Sequence, residues 1–324
     1  MVNIVVDTLG SDNGSKSIVT GVIKACEELN DLKVYLVGRE DEIKDLVKDK
    51  KNIEIINASE EITNYDSPIN AIREKSDSSL VKAYDFIKEN DDINILISAG
   101  SSGAILTGAV MKLERINKCR PGLMALLPNE KGKLFALMDC GMNVECKKEH
   151  LLGFAKMASI YMKSIYNIEN PRIGIVSNGI EEGKGNQLVK ETTPLLKESG
   201  LNFVGNIEGT KVLSDEFDVL LTDGFTGNVL LKNIEGTAKT IIKEMFAQLA
   251  HTSDEEEQKA IKKLIKNLMT KYDFNSGGGA ILLGVNKIII KCHGSANEDT
   301  FYNTLKQGYA LAKNNVIEEM INNL

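Results

Sequence analysis

Lys184 is the residue of this 324-residue chain whose setting points most directly to chemistry. It sits in the run Asn178-Gly179-Ile180-Glu181-Glu182-Gly183-Lys184-Gly185-Asn186, behind a short apolar, β-prone stretch from Arg172 to Ser177. Leu188, Val189, Leu195 and Leu196 then predict a helix over 183–199. Strand, glycine loop and helix together build an anion site in α/β proteins. The glycines let backbone approach the ligand, and the N–H groups of the first helical turn point at it. Lys184 adds a mobile positive charge. Without a ligand the same loop is a plain connection that needs glycine for its φ angles and carries a solvated lysine. The anion reading gains because similar loops recur.

Three more such loops follow apolar runs. Residues 93–98 lead into Ala99-Gly100-Ser101-Ser102-Gly103-Ala104, an uncharged loop whose donors are the Ser101 and Ser102 hydroxyls and backbone N–H groups such as that of Gly103. Residues 218–222 lead into Asp223-Gly224-Phe225-Thr226-Gly227-Asn228, and 287–291 into Cys292-His293-Gly294-Ser295-Ala296. In an open α/β sheet, ligands bind outside the carboxyl ends of the strands, where such loops gather. The groups on offer are few: Lys184 for charge, His293 for proton transfer, the amides of Asn178, Asn186 and Asn228, the Thr226 hydroxyl, and N–H groups at Gly183, Gly185 and Gly227. Asp223 is a partner for His293 or for an amide of the substrate. The plain alternatives are a core histidine satisfied by backbone and a turn aspartate bonding its own loop. No nucleophile elbow, Walker loop or dinucleotide fingerprint is present. Many anion donors without a protein nucleophile suit a reaction in which the anion itself attacks.

The elements that must position these loops read as a βα alternation. Residues 3–7, 33–38, 53–56, 93–98, 172–177, 218–222 and 287–291 are strands, and amphipathic stretches between them are helices. That rhythm predicts a mostly parallel sheet covered by helices. Residues 123–127 and 134–139 read as a β-hairpin, and Ser67-Pro68 opens a helix. No linker or repeat separates domains, so one unit over 1–324 is expected. A net charge of −7 and the absence of Trp disfavour nucleic acid as partner. Five scattered cysteines suit reduced thiols in the cytoplasm, and Cys140, Cys146 and His150 lack a zinc spacing, so no metal is expected. No leader and no apolar run of membrane-span length stand out.

Over nearly its whole length the chain resembles the bacterial phosphate acyltransferases of phospholipid synthesis, the PlsX family. The resemblance rests on residues 6–12, 71–79, 98–104, 139–151, 181–186, 203–209, 223–232 and 277–296, among them EEGKGN, DGFTGNVLLK and KCHGSA. It implies a three-layer α/β/α sandwich similar to phosphotransacetylases and isocitrate dehydrogenases. It also implies a homodimer without cofactor that turns acyl-[acyl carrier protein] and inorganic phosphate into acyl phosphate and free carrier protein. An acyl-CoA:phosphate acyltransferase and a non-catalytic regulator that binds acyl carrier protein are the competing readings. A nucleotide-binding dehydrogenase is disfavoured by the missing glycine fingerprint.

Residues 238–272 predict a projecting helical hairpin. Ile241, Ile242, Met245, Phe246 and Leu249 form one apolar stripe, and Ile261, Leu264, Ile265, Leu268 and Tyr272 another, with Ser253 as N-cap between them. Lys259, Lys262, Lys263, Lys266 and Lys271 suit the acidic carrier or an anionic membrane surface, which would place the protein peripherally at the inner face of the membrane.

Overall fold

The computed structural model describes residues 1–272 and 278–324; Gly277, the first residue of the glycine run 277–284, lies outside them. The chain divides into two compact units. The first holds Met1–Ala125, Lys156–Glu169 and 278–324, the second Leu126–Ala155 and 170–272. In chain order the elements begin β1 (Val2–Asp7), α1 (Gly14–Glu28), β2 (Leu32–Gly38), α2 (Glu40–Val47), β3 (Ile53–Asn57), α3 (Pro68–Glu74), α4 (Ser79–Glu89), β4 (Ile93–Ser98) and α5 (Ser102–Lys112). They continue with β5 (Gly122–Pro128), β6 (Leu134–Met138), α6 (Lys148–Tyr166), β7 (Ile173–Ser177), α7 (Gln187–Glu198), β8 (Phe203–Glu208) and β9 (Val219–Leu221). The last are α8 (Gly224–His251), α9 (Glu255–Lys271), β10 (Ala280–Leu283), β11 (Ile288–Lys291), α10 (Glu298–Lys313) and α11 (Val316–Asn323).

In the first unit the strand order is β3-β2-β1-β4-β11-β10-β5. All neighbours pair in parallel except β10, which runs antiparallel to both β11 and β5. The apolar run Ile4-Val5-Val6 is fully buried, as is Ile95-Leu96-Ile97, which is the signature of strands covered on both faces. Pro68 opens α3 as expected. The helix α1 starts behind Asn13, ahead of the serines at 15 and 17.

In the second unit β6, β9, β7 and β8 lie side by side and pair in parallel. The expected hairpin is there: the Asn129 N–H donates to the Lys133 carbonyl (2.8 Å) at the turn between β5 and β6. The edge strand β8 is the element sequence reasoning passed over. Gly205 and Asn206 interrupt its apolar pattern, and pairing with β7 holds it in place. The helix α7 starts later than expected because Asn186 caps it, its Oδ1 accepting from the Val189 N–H at 3.0 Å. The hairpin consists of the second half of α8 packed on α9. Its cap is Asp254 rather than Ser253, with the Glu257 N–H donating to the Asp254 carboxylate at 2.8 Å. A carboxylate there also faces the positive end of the helix dipole. Among the described residues no helix is long and apolar enough to cross a membrane.

Candidate functional site

Parallel pairing of β6, β9 and β7 brings their carboxyl ends to one edge of the second unit. There the chain leaves β7 for the Lys184 loop and α7, and leaves β9 for Asp223 and α8. Two helix N-termini, capped by Asn186 and Asp223, therefore flank one pocket of 490 Å³. Its polar wall is Ser177, Asn178, Asn186, Thr222, Asp223 and Thr226, and its floor includes Ile175, Val189 and Leu151.

The Lys184 loop is held by its own side chains. Asn178 Oδ1 accepts from the Gly185 N–H at 2.8 Å, and the Glu181 carbonyl accepts from the Lys184 N–H at 3.0 Å. Gly185 has φ +102, and a methyl group on it would meet Val189 Cγ1 at 2.5 Å, so neither backbone nor space admits a side chain. Gly183 carries no such constraint, since a Cβ there meets nothing. Lys184 is exposed, its stem lying across Gly179 and its neighbour Gly185 forming the pocket wall. Because Asn186 spends its oxygen on the cap, its Nδ2 is the group left to donate.

Across the pocket, Asp223 accepts the Thr226 N–H (2.8 Å) and the Thr226 hydroxyl (3.0 Å). This is the loop-bonding role that a turn aspartate plays, and it starts α8. Gly227 is buried, and a methyl group there would run into the Asp139 carbonyl oxygen. Asn228 is exposed, with its amide over Gly141. Lys184 and Asn228 stand beside the pocket lining rather than in it.

Sequence reasoning did not assign a role to Asp139 or to Ser177. The fully buried Asp139 carboxylate accepts the N–H groups of Gly141 (3.1 Å), Met142 (3.0 Å) and Asn143 (2.7 Å), and the Asn143 side-chain amide at 2.7 Å. The Asn143 carbonyl in turn accepts the Gly224 N–H at 2.7 Å, so this loop clamps the first turn of α8. Ser177, the last residue of β7, has a buried hydroxyl without a hydrogen-bond partner among the described residues.

The other candidates lie in the first unit. Ser101 is the N-cap position of α5 without a side-chain cap bond, Ser102 and Gly103 open that helix, and Gly103 faces Pro68. His293 is exposed rather than in the core, with Nδ1 2.8 Å from the Ser295 hydroxyl and accepting the Ser295 N–H at 3.2 Å. Among the described residues no group of three His, Cys, Asp or Glu side chains is placed to hold a metal ion. Burial pushes the thiol of Cys140, beside Asp139, well up, which keeps it protonated and a poor nucleophile.

This mostly parallel α/β fold has solved counterparts among the phosphotransacylases. It is similar in fold to a branched-chain phosphotransacylase from Enterococcus faecalis, with TM-score 0.61 and 14% identity over 100% of each chain. It is likewise similar to a phosphotransacetylase from Staphylococcus aureus, with TM-score 0.57 and 14% identity over 96% of this chain and 94% of that one. The sequence carries the assignment further: residues 2–319 match the family described as fatty acid synthesis protein, and the chain belongs to that family. It is 40% identical over 329 residues to the phosphate acyltransferase of Clostridium tetani, covering 98% of both chains. It is 38% identical over 323 residues to that of Clostridium novyi, covering 98% of this chain and 97% of the relative. By this membership it is an enzyme, an acyltransferase.

Proposed function

We propose that the chain transfers an acyl group from acyl carrier protein to inorganic phosphate, releasing acyl phosphate and free carrier protein for phospholipid synthesis. The observation that carries this reading is the pocket between the two helix N-termini, with Lys184 at its rim. Its two sides differ in charge. Around α7 are Lys184, the Asn186 amide and the N–H groups of the first turn, all donors suited to phosphate. Across from them the Asp223 carboxylate repels an anion and accepts hydrogen bonds, which suits an amide of the carrier's prosthetic arm.

A phosphate oxygen attacks the thioester carbonyl carbon, and the carbonyl oxygen takes up the negative charge. The Asn228 amide is the proposed donor to that oxyanion. Collapse breaks the carbon–sulfur bond, and the thiolate leaves with the electron pair, taking a proton from His293 or solvent. Ser101, Ser102 and Gly103 are proposed as further backbone and hydroxyl donors to the substrate. The chain's own task is to hold two negative groups together and stabilise the intermediate. The test is mass-spectrometric detection of acyl phosphate after mixing the protein, palmitoyl carrier protein and phosphate, without added metal or nucleotide. Thiol release that does not depend on phosphate would overturn it.

We also infer a homodimer and a weak contact of the hairpin with anionic membranes. Lys259, Lys262, Lys263 and Lys266 are all exposed on α9, and so are the apolar Ile241, Phe246, Leu264 and Met269. Each lysine near an anionic surface adds about 1 kcal/mol, lost as salt rises. Liposome flotation is expected to show binding to anionic vesicles only; equal binding to neutral vesicles would remove the electrostatic part of the reading.

A further inference from the structure

Five buried side-chain atoms among the described residues lack a hydrogen-bond partner, on Asn3, Ser159, Ser177, Ser214 and Asn286. Of these residues, only Ser177 lines the candidate pocket. A buried hydroxyl left unbonded is costly, and native proteins keep few of them. One at the wall of a ligand pocket has a direct explanation: its partner arrives with the ligand.

The surroundings of Ser177 fit that explanation. It ends β7, and its Oγ faces the space that a side chain at residue 185 would occupy. A Cβ built on Gly185 would stand 3.3 Å from Ser177 Oγ and 2.6 Å from Val189 Cβ. Any side chain at residue 185 would therefore collide with Val189 and press on this hydroxyl, which glycine avoids. The neighbouring Asn178 does not fill the gap, because its Oδ1 holds the Gly185 N–H. Nor does Asn186, whose oxygen caps α7. Both amides tie the loop to itself, and Ser177 is the polar group they leave over. Beside it lies the first turn of α7, where the N–H groups of Gln187 and Leu188 have no partner within the helix.

We propose that Ser177 is a phosphate-binding residue of this acyltransferase, its hydroxyl bonding a phosphate oxygen seated between the Lys184 loop and the first turn of α7. This role rests on the acyl-transfer reading above. The choice of phosphate over the acyl group follows from what Ser177 adjoins, since it opens the loop that carries Lys184 and leads to the first turn of α7. A hydroxyl also adds something the neighbouring groups lack. Ammonium and amide N–H groups only donate, whereas a serine hydroxyl donates or accepts. Phosphate near neutral pH keeps at least one P–OH. Ser177 can accept from that P–OH while Lys184 and the N–H groups hold the charged oxygens. The bound ion is then turned so that a charged oxygen, not the protonated one, meets the thioester.

The experiment compares wild type, Ser177→Ala and Ser177→Thr, first with inorganic phosphate alone and then in turnover of palmitoyl carrier protein. Without phosphate, Ser177→Ala is expected to melt at or above the wild-type temperature, because the atom removed has no partner to lose. The stabilisation of wild type by phosphate should shrink in Ser177→Ala, and the KM for phosphate should rise about tenfold, the worth of one bond to a charged group. The KM for carrier protein should change far less, and Ser177→Thr, which keeps the hydroxyl, should recover phosphate binding. An Ala variant that is less stable without phosphate, yet binds phosphate as wild type does, would overturn the proposal and make the hydroxyl structural. Wild type that is not stabilised by phosphate would overturn it too. Loss of phosphate binding in Ser177→Ala, in a protein that forms no acyl phosphate, would uphold Ser177 and refute the acyl-transfer reading instead.

Discussion

Both units end parallel strands in loops rich in glycine, serine and aspartate, and they use the polar groups there in opposite ways. At the ends of β1 and β4 the groups turn inward. Asp7 is buried and accepts the Ser98 hydroxyl at 2.7 Å and the Leu9 N–H at 3.1 Å, while Ser98 Oγ also accepts the Gly100 N–H at 3.1 Å. Gly10 lies so close to Gly100 that a Cβ on it would approach Gly100 Cα at 2.7 Å. At the ends of β7 and β9 the loops bond just enough to hold their shape, leaving Ser177, Lys184 and Asn228 to a pocket or to solvent. The same motif thus serves as a latch in one unit and as a cradle in the other. What separates them is whether the donors and acceptors are already matched.

The cradle nonetheless depends on one latch of its own, and breaking it should have the largest effect. Replacing Asp139 with Ala strands four N–H donors, two of them in buried bonds and two in part-buried ones, and frees the clamp on α8. The expected loss is about 3 kcal/mol or more in chemical denaturation, with activity lost alongside. A cost under about 1 kcal/mol would mean that the loop relaxes and does not clamp.

The latch of the first unit should announce itself through pH. Burial pushes Asp7 up from its ordinary 3.8 to about 6, against the pull of its hydrogen bonds from Ser79, Ser98 and Leu9. The folded state then holds a proton that the unfolded chain has released, so this group's contribution is full below about pH 4 and falls as pH rises to about 6. Above that it is flat, lower by about 3 kcal/mol. The carboxylates of Asp31, Asp66 and Asp77, held down to about 2 by lysine and hydroxyl partners, act with the opposite sign and below that window. Asp7→Asn should therefore remove a downward slope in stability between pH 4 and 6. Identical slopes for wild type and variant would show that Asp7 titrates normally.

How much of this comparison is legible in the sequence follows from how local each cause is. The strands of both units show as apolar runs such as 93–98 and 218–222, because strands buried on both faces need little else. The glycine loops show because positive φ and close approach both select glycine, as at Gly185. The latch–cradle difference does not show. Asp7 and Asp223 are each an aspartate beside a strand end, and only the three-dimensional partners separate a buried carboxylate from a helix cap. The role of Asp139 depends on meeting Gly224 and Gly227 from a distant part of the chain. The state of the Ser177 hydroxyl depends on which groups reach it in three dimensions, which no pattern of residue types records. The cap at Asp254 was a choice between adjacent eligible residues, made by backbone geometry.

For the cradle, removing the charge should matter and the fold should not notice. Lys184→Ala takes away a charge-assisted contact of about 1.5–3 kcal/mol, so phosphate use should weaken about ten- to hundredfold. Binding of carrier protein should change little, and thermal stability should stay put because the side chain is exposed. Unchanged phosphate dependence in steady-state kinetics would turn the loop into a mere connection and erase its contrast with the first unit.

The smallest effect is expected where the first unit is asked to contribute chemistry. His293 is exposed and its Nδ1 accepts the Ser295 N–H, which puts the ring proton of the neutral form on Nε2. Its proposed task is to protonate the thiolate that leaves the thioester. That thiolate has a conjugate acid of pKa about 8.5 and departs readily unaided, so general-acid help is worth little here. His293→Gln should lower kcat with palmitoyl carrier protein by less than about tenfold, well below the usual general-acid contribution. The KM for phosphate should be unchanged, in contrast to Lys184→Ala. A hundredfold fall in kcat would show that proton transfer limits the reaction and that His293 supplies the proton.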